Sequence, residues 1–111
     1  MELYIDFSAP VLPAETASAL QMSDLNDFYG SASDFDKSNL FFVLLTSLHH
    51  YEDAGDRPLA AQLSFLAAYY LYIALTPPGS QELALHYIRR AITLHPTPLY
   101  QEWLGLIEQG N

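Results

Sequence analysis

The sequence predicts an all-α fold of antiparallel helical hairpins, with four main helices behind a partly ordered N-terminal arm. Half of the 111 residues are apolar, which is enough for one small core. Glycine and proline separate the long apolar stretches, at Gly55, Pro77–Gly79 and Pro96. Serine, threonine or aspartate, the preferred N-cap residues, precede the stretches. We therefore expect an N-terminal arm over residues 1–36 and a helical domain over residues 37–111.

The arm is acidic but not typical of a solvated tail. Residues 1–36 hold seven acidic residues and no lysine or arginine, and they are also rich in Leu, Phe and Tyr. Pro10 and Pro13 disfavour a long early helix, whereas Ser23 is a candidate cap for a short helix ending at Gly30. We expect the arm to pack on the body or on a partner. Alternatively, the stretch ELYIDF forms a short strand that adds to the edge of a partner's sheet.

The first two main helices are predicted from their caps. The first follows Asp36 or Ser38 and runs to the turn at Gly55. The second has Asp56 as its N-cap and Pro58 in its first turn, where a missing N–H costs little. It is predicted to continue to residue 76, where the Pro77–Gly79 break follows.

The last two main helices are bounded by proline. The third is predicted from Ser80 to the stop at Pro96, with Glu82 near the positive end of its dipole. The fourth is predicted to have Thr97 as its N-cap and Pro98 at its first position, and to end at Gly110.

The second helix is also long enough to cross a bilayer, since residues 58–81 contain no charge. A single-pass membrane subunit with helix 58–76 is therefore an alternative. Its tyrosines lie within the stretch instead of forming a belt at its ends, and the flanks give no positive-inside signal. These features favour a helix buried in a soluble helical stack, so we expect no membrane partner.

The third helix resembles helix B of a tetratricopeptide repeat. Small Ala84 and Ala91 stand seven residues apart with Ile88 between them, Gly79 precedes them, and Pro96 closes the helix. The resemblance covers residues 64–96 and implies that the second helix is helix A. Tyr72 departs from the family, which prefers a small residue there. A competing register, with Ala60 and Ala67 as the small residues, pairs the first and second helices instead.

Charge and composition exclude several classes of function. The net charge of −9 makes nucleic acid an unsuitable ligand, because binding phosphates requires a basic surface. The chain contains no cysteine, so neither a disulfide nor a thiolate metal site is expected. The first ten residues contain no basic residue, unlike a signal or transit peptide, and we expect a cytoplasmic location.

No catalytic motif is recognisable, and we predict neither enzymatic activity nor a cofactor. His49 and Asp53, four residues apart, share a helix face as two metal ligands would, but no third ligand is evident and no metal site is predicted. Arg89 and Arg90 are candidates for a carboxylate clamp. Adjacent helix positions point about 100° apart, which favours separate pairing with local acids.

The abundance of large aromatic residues favours a protein-binding module, because aromatic residues are enriched at interfaces. We predict an aromatic groove that holds a helix or extended peptide of another protein in a hetero-oligomer. Six residues are predicted to line it: Phe42, Leu45, His49, Leu66, Tyr69 and Ile73. By its size, acidity and repeat type the chain resembles the small acidic chaperones of type III secretion. An immunity protein that neutralises a basic partner is the other alternative.

Overall fold

The computed structural model describes residues 3–110 and shows an all-helical chain. This part contains no strand and has six α-helices instead of the four expected. A π-helical segment, Tyr70–Leu75, continues directly from the fourth helix. The helices are α1 Ala14–Ala19, α2 Met22–Ser31, α3 Asp34–Asp53, α4 Arg57–Tyr69, α5 Ser80–Leu94 and α6 Pro98–Gln109.

The N-terminal arm forms the two additional helices. Helix α2 begins one residue before the predicted cap, because Gln21 and Asp24 form a capping box in which the Gln21 N–H donates to Asp24 Oδ2 at 2.8 Å. Leucine and alanine side chains of the arm are buried in the same core as those of the body, namely Leu12, Ala17, Leu20 and Leu25. The division into an arm and a separate body is therefore not a division between two cores.

The strand considered as an alternative for ELYIDF is not formed by the chain on its own within the described residues, which begin at Leu3, and its addition to a partner's sheet stays a prediction. Asp6 closes a turn instead: its carboxylate accepts hydrogen bonds from the Ser8 N–H at 3.0 Å and the Ser8 hydroxyl at 2.6 Å, and its carbonyl accepts from the Ala9 N–H. A strand requires a neighbouring strand, and the described part of this chain offers none.

Helix α3 begins a turn earlier than predicted. Its N-cap is Ser33, whose hydroxyl accepts a hydrogen bond from the Asp36 N–H at 3.2 Å. Asp34 and Asp36 lie in the first turn, where negative charge is stabilised by the helix dipole. The shift brings Phe35 onto this helix.

Helix α4 begins as predicted, with the Asp56 carboxylate accepting from the Leu59 N–H at 3.2 Å. It passes into the π-helical segment, where the Thr76 N–H donates to Leu71 O at 3.0 Å, and Thr76 adopts a left-handed φ of 46° before Pro77. Arg57–Leu75 is long and apolar enough to cross a membrane, but 72% of its 18-residue window is buried by the rest of the chain.

Helix α4 lies at the centre of the fold, packing against α1, α3 and α5, while α6 packs against α5. The three residues that predicted close packing of α5, Ala84, Ile88 and Ala91, are completely buried. Helix α6 begins as predicted, with the Thr97 hydroxyl accepting from the Tyr100 N–H at 3.2 Å. The small side chains of α5 allow it to lie close to its neighbours.

Candidate protein-binding surface

The six predicted groove residues fall into two groups. Phe42 and His49 are exposed on α3 with Leu45 half-buried beside them, and Ile73 is exposed on the π-helical segment. Leu66 and Tyr69 are only 1% and 6% exposed, so neither lies on an open surface in this structure. The structure therefore does not bring the six residues together in one open groove.

Leu66 and Tyr69 are buried because the N-terminal arm and α6 lie against this side of α4. The Tyr69 hydroxyl donates to Asn26 Oδ1 at 2.8 Å, which ties it to α2. Its ring meets Trp103 of α6 edge to face, with centroids 5.3 Å apart. Leu66 lines the floor of a cleft whose opposite wall is formed by the arm. The side of α4 that was predicted to contact a partner therefore contacts the N-terminal arm and α6 of the same chain.

Three exposed phenylalanines lie close together on the surface. Only one of them, Phe42, was predicted from the sequence. Phe7, Phe35 and Phe42 are 45%, 76% and 60% exposed, and we call them the phenylalanine surface. All three line one depression of 330 Å³, together with Pro10, Asn39, Val43 and Thr46. Phe35 lies seven residues before Phe42 on α3, a spacing that would have revealed it had the helix start been placed at Ser33. Phe7 lies outside the helices, so no helical spacing could have predicted its position.

The phenylalanine surface is large for a chain of this size. Given that an aromatic side chain offers about 150–250 Å², the three exposed fractions amount to roughly 300–400 Å² of apolar area. This lies within the range of the largest patch on a typical soluble protein, a patch that often has a function. Exposure of this apolar area to water is unfavourable in free energy, and a partner that covered the area would remove that cost.

Three carboxylates neighbour the phenylalanine surface in sequence, although none of them lines its depression. Asp6 precedes Phe7, and Asp34 and Asp36 flank Phe35. Hydrogen bonds from Ser8 hold the pKa of Asp6 below its usual value, so this carboxylate is ionised at neutral pH. The nearby cation, Lys37, is engaged locally: its amine lies 3.6 Å from Asp34 Oδ1 and 4.4 Å from the centroid of the Tyr29 ring. The depression itself is therefore apolar, and the residues next to Phe7 and Phe35 in sequence are acidic.

A second, deeper cleft of 510 Å³ lies between the arm, α4 and α6. Its lining is mostly apolar, and a nearly parallel stack of Phe65 on Tyr100, with centroids 5.1 Å apart, contributes to it. Gln62 is a polar member of this lining. The same side chain lines a neighbouring depression of 430 Å³ between α1 and the start of α4.

The three arginines of the chain line one shallow depression of 440 Å³, but each has a partner there. Arg57 donates to the carbonyls of Thr93 and Leu94 and so closes the C-terminal end of α5. Arg90 pairs with both oxygens of Glu52, and Arg89 lies 4.0 Å from Glu108. The two adjacent arginines therefore pair with separate local acids, and they do not form a clamp.

No metal-binding cluster is found in the described part of the chain. His49 and Asp53 are both exposed near the end of α3, and no group of three or more potential ligands forms around them within residues 3–110. Comparison of the chain with known proteins finds no matching family model, no matching curated protein and no matching solved structure. The geometry of its own residues is thus the basis for a functional proposal.

Proposed function

We propose that this protein is a protein-protein interaction module, a small acidic chaperone or adaptor that holds an amphipathic helix of a partner protein on its phenylalanine surface. The observation that supports this proposal is the convergence of three exposed phenylalanines, Phe7, Phe35 and Phe42, on one depression. Large rings exposed together are typical of binding sites, where they supply apolar area at little entropic cost.

Charge determines which kind of partner fits. The acidic residues that neighbour the phenylalanine surface in sequence favour a helix with apolar residues on one face and lysine or arginine at the edges of that face. A second copy of this chain also carries a net charge of −9, so repulsion disfavours pairing between copies. A hetero-oligomer with a basic amphipathic segment suits both the apolar depression and the net negative charge of the chain.

The chaperone role would follow from this binding mode. A partner whose amphipathic helix is covered on its apolar face is protected from aggregation, and the excess negative charge keeps the complex soluble. The tetratricopeptide-like pattern of α5 and the size and acidity of the chain are consistent with the type III secretion chaperones that the sequence resembles. A cytoplasmic location and a non-enzymatic role are part of this proposal.

The test is binding of a designed helical peptide that carries leucines on one face and lysines beside them, measured by calorimetry. Replacing Phe35 and Phe42 together by Asp should weaken binding at least tenfold, because burying each ring contributes about 1.5–3 kcal/mol. Ser38→Asp is the matched control: it adds a charge at an exposed position of the same helix that does not line the depression. Equal binding by the double variant and the wild type would refute the proposal.

The same experiment separates the proposal from the alternative of an immunity protein. An inhibitor of a basic enzyme relies on charge, so neutralising Asp6, Asp34 and Asp36 to Asn should abolish binding to a lysine-rich peptide without leucines. The chaperone-like module should bind the leucine-containing peptide even at about 0.5 M salt, where charges separated by more than a few ångströms are screened.

A further inference from the structure

The short helix α1 is held on α4 by one amide side chain. Gln62 Nε2 lies 3.2 Å from Ala17 O, 3.2 Å from Ser18 O and 2.9 Å from Leu20 O. These carbonyls belong to the last turn of α1 and to its C-cap, where helix geometry leaves carbonyls short of donors, although Ala17 O also accepts from the Leu20 N–H at 3.4 Å. An amide nitrogen has only two N–H groups, so the three carbonyls share two donors. Gln62 therefore acts as a receptor for the C-terminal end of a helix.

Residues 12–20, which we call the lid, cover α4 along a narrow strip. Ala17 and Leu20 form the buried face of the lid, at 0% and 1% exposure. On either side of this strip the contact opens into the clefts of 510 and 430 Å³, both lined by Gln62. Both clefts are open to solvent, so the lid is flanked by accessible surface of α4 on both sides.

The lid has little stability of its own. Helix α1 has six residues, well below the length of about 12–15 at which an isolated helix becomes even marginally stable. Pro13 is its N-cap and provides no side-chain hydrogen bond. Beyond Gln62, its polar attachments are at Leu12, whose N–H donates to Ser47 Oγ at 2.9 Å and whose carbonyl accepts from the Tyr51 hydroxyl at 2.5 Å. The order of the lid thus depends on its docking.

We infer, on the basis of the proposed function, that the α4 surface around Gln62 is a second binding surface, which takes the C-terminal end of a short helix from the partner when the lid lifts. The lid shows the chemistry of the occupant: a small residue and a leucine three positions later, as at Ala17 and Leu20, in the last turn of a helix whose carbonyls accept from Gln62. Lid and partner helix compete for the same Gln62 amide.

The first measurement is hydrogen exchange of the intact full-length chain in low urea. The amide of Ala17, bonded to Pro13 O, should exchange at least about 100-fold faster than the amide of Ala60 in α4, bonded to Asp56 O. Its exchange should be insensitive to urea, as expected for a local opening. If the exchange rates of both amides depended on urea as global unfolding does, the claim that the lid opens locally would be refuted.

The second measurement uses a fluorescent synthetic peptide of residues 10–21 as the probe. Ala17→Asp places a charge on the buried face of the lid, which should displace the lid from α4. The affinity for this peptide should therefore rise at least tenfold over wild type. Ala19→Asp is the control, since Ala19 is exposed on the same helix. Adding Gln62→Met to Ala17→Asp should remove the gain. A folded Ala17→Asp variant that does not bind the peptide would refute the second surface.

The exchange measurement decides the lid if Ala17→Asp fails to fold, because Gln62→Met should then increase exchange at Ala17 while leaving Ala60 unchanged. The outcome is also separable from that of the proposed function. The peptide of residues 10–21 contains no phenylalanine and no basic residue, so its binding does not depend on the phenylalanine surface.

Discussion

Replacing Tyr70 is predicted to change the free energy of unfolding in opposite directions at neutral and at high pH. Tyr70 is completely buried, its hydroxyl donates to the Lys37 carbonyl at 2.5 Å, and its ring meets Tyr29 edge to face at 6.2 Å. Burial, and to a lesser extent the charge of Tyr29, raises the pKa of Tyr70 far above the usual value of 10. The perturbation is Tyr70→Phe, which keeps the ring and removes both the hydrogen bond and the titrating group.

At pH 7 the variant should be the less stable protein. A neutral hydrogen bond contributes about 0.5–1.5 kcal/mol to the free energy of unfolding, and that contribution is lost. For a chain of this length the melting temperature should fall by about 4 °C for each kcal/mol.

Above pH 10 the sign should reverse. In the unfolded wild type Tyr70 loses its proton at pH 10 and above, whereas in the folded state it keeps the proton because its pKa is raised. The stabilising effect of the raised pKa is fully present below pH 10, so the wild type loses up to about 1.4 kcal/mol per further pH unit through this residue. The phenylalanine variant has no such loss. The two stability curves should therefore cross at about pH 10–11.

The assay is urea unfolding of both proteins between pH 7 and 11, followed by circular dichroism. Tyr100→Phe is a useful control: burial raises the pKa of Tyr100 as well, but its hydroxyl has no hydrogen-bond partner in residues 3–110. It should therefore match wild type at pH 7 and exceed it above pH 10. Parallel curves for Tyr70→Phe and wild type across the whole range would refute a buried, neutral Tyr70.

Three further substitutions test the packing and the backbone. Thr76→Asn should raise the free energy of unfolding by about 0.5–1 kcal/mol in urea titrations, because Asn tolerates the left-handed φ of 46° better than a β-branched residue. Ala91→Leu should lower it by about 1–3 kcal/mol, since Ala91 is completely buried and has no room for a larger side chain; Thr93→Leu, at an exposed position of the same helix, is the control. Glu52→Gln should reduce the melting temperature by a few degrees through loss of the charged partner of Arg90, and an unchanged value would show that this ion pair contributes nothing.

The sequence predicted the fold well where local chemistry decides the structure. Asp56 and Thr97 cap their helices with the expected hydrogen bonds, and the spacing of Ala84, Ile88 and Ala91 correctly predicted a buried face. A cap acts over three residues and a packing face over one helix, so both can be read from a short stretch.

The surface was predicted less well, because exposure depends on what distant parts of the chain cover. Leu66 and Tyr69 have the composition of groove residues, but they are covered by a segment about 40 residues earlier in the chain. Phe35 was overlooked for a local reason: the predicted N-cap was Asp36 or Ser38, and either choice leaves Phe35 off the helix, whereas the observed N-cap is Ser33. The π-helical segment had no local signal beyond the unexpected Tyr72.

The side chains that close the helix ends lie at different points along the chain, and this sets the order in which the ends can be secured during synthesis. The carbonyls at the end of α5 are closed by Arg57, and those at the end of α6 by Gln81, both of which are made before the carbonyls they bind. The end of α1 must wait for Gln62, more than forty residues later. A nascent chain, growing at about 5–20 residues per second, therefore presents α1 unsecured for some seconds. During that interval α1 is accessible to a partner before Gln62 can bind its carbonyls.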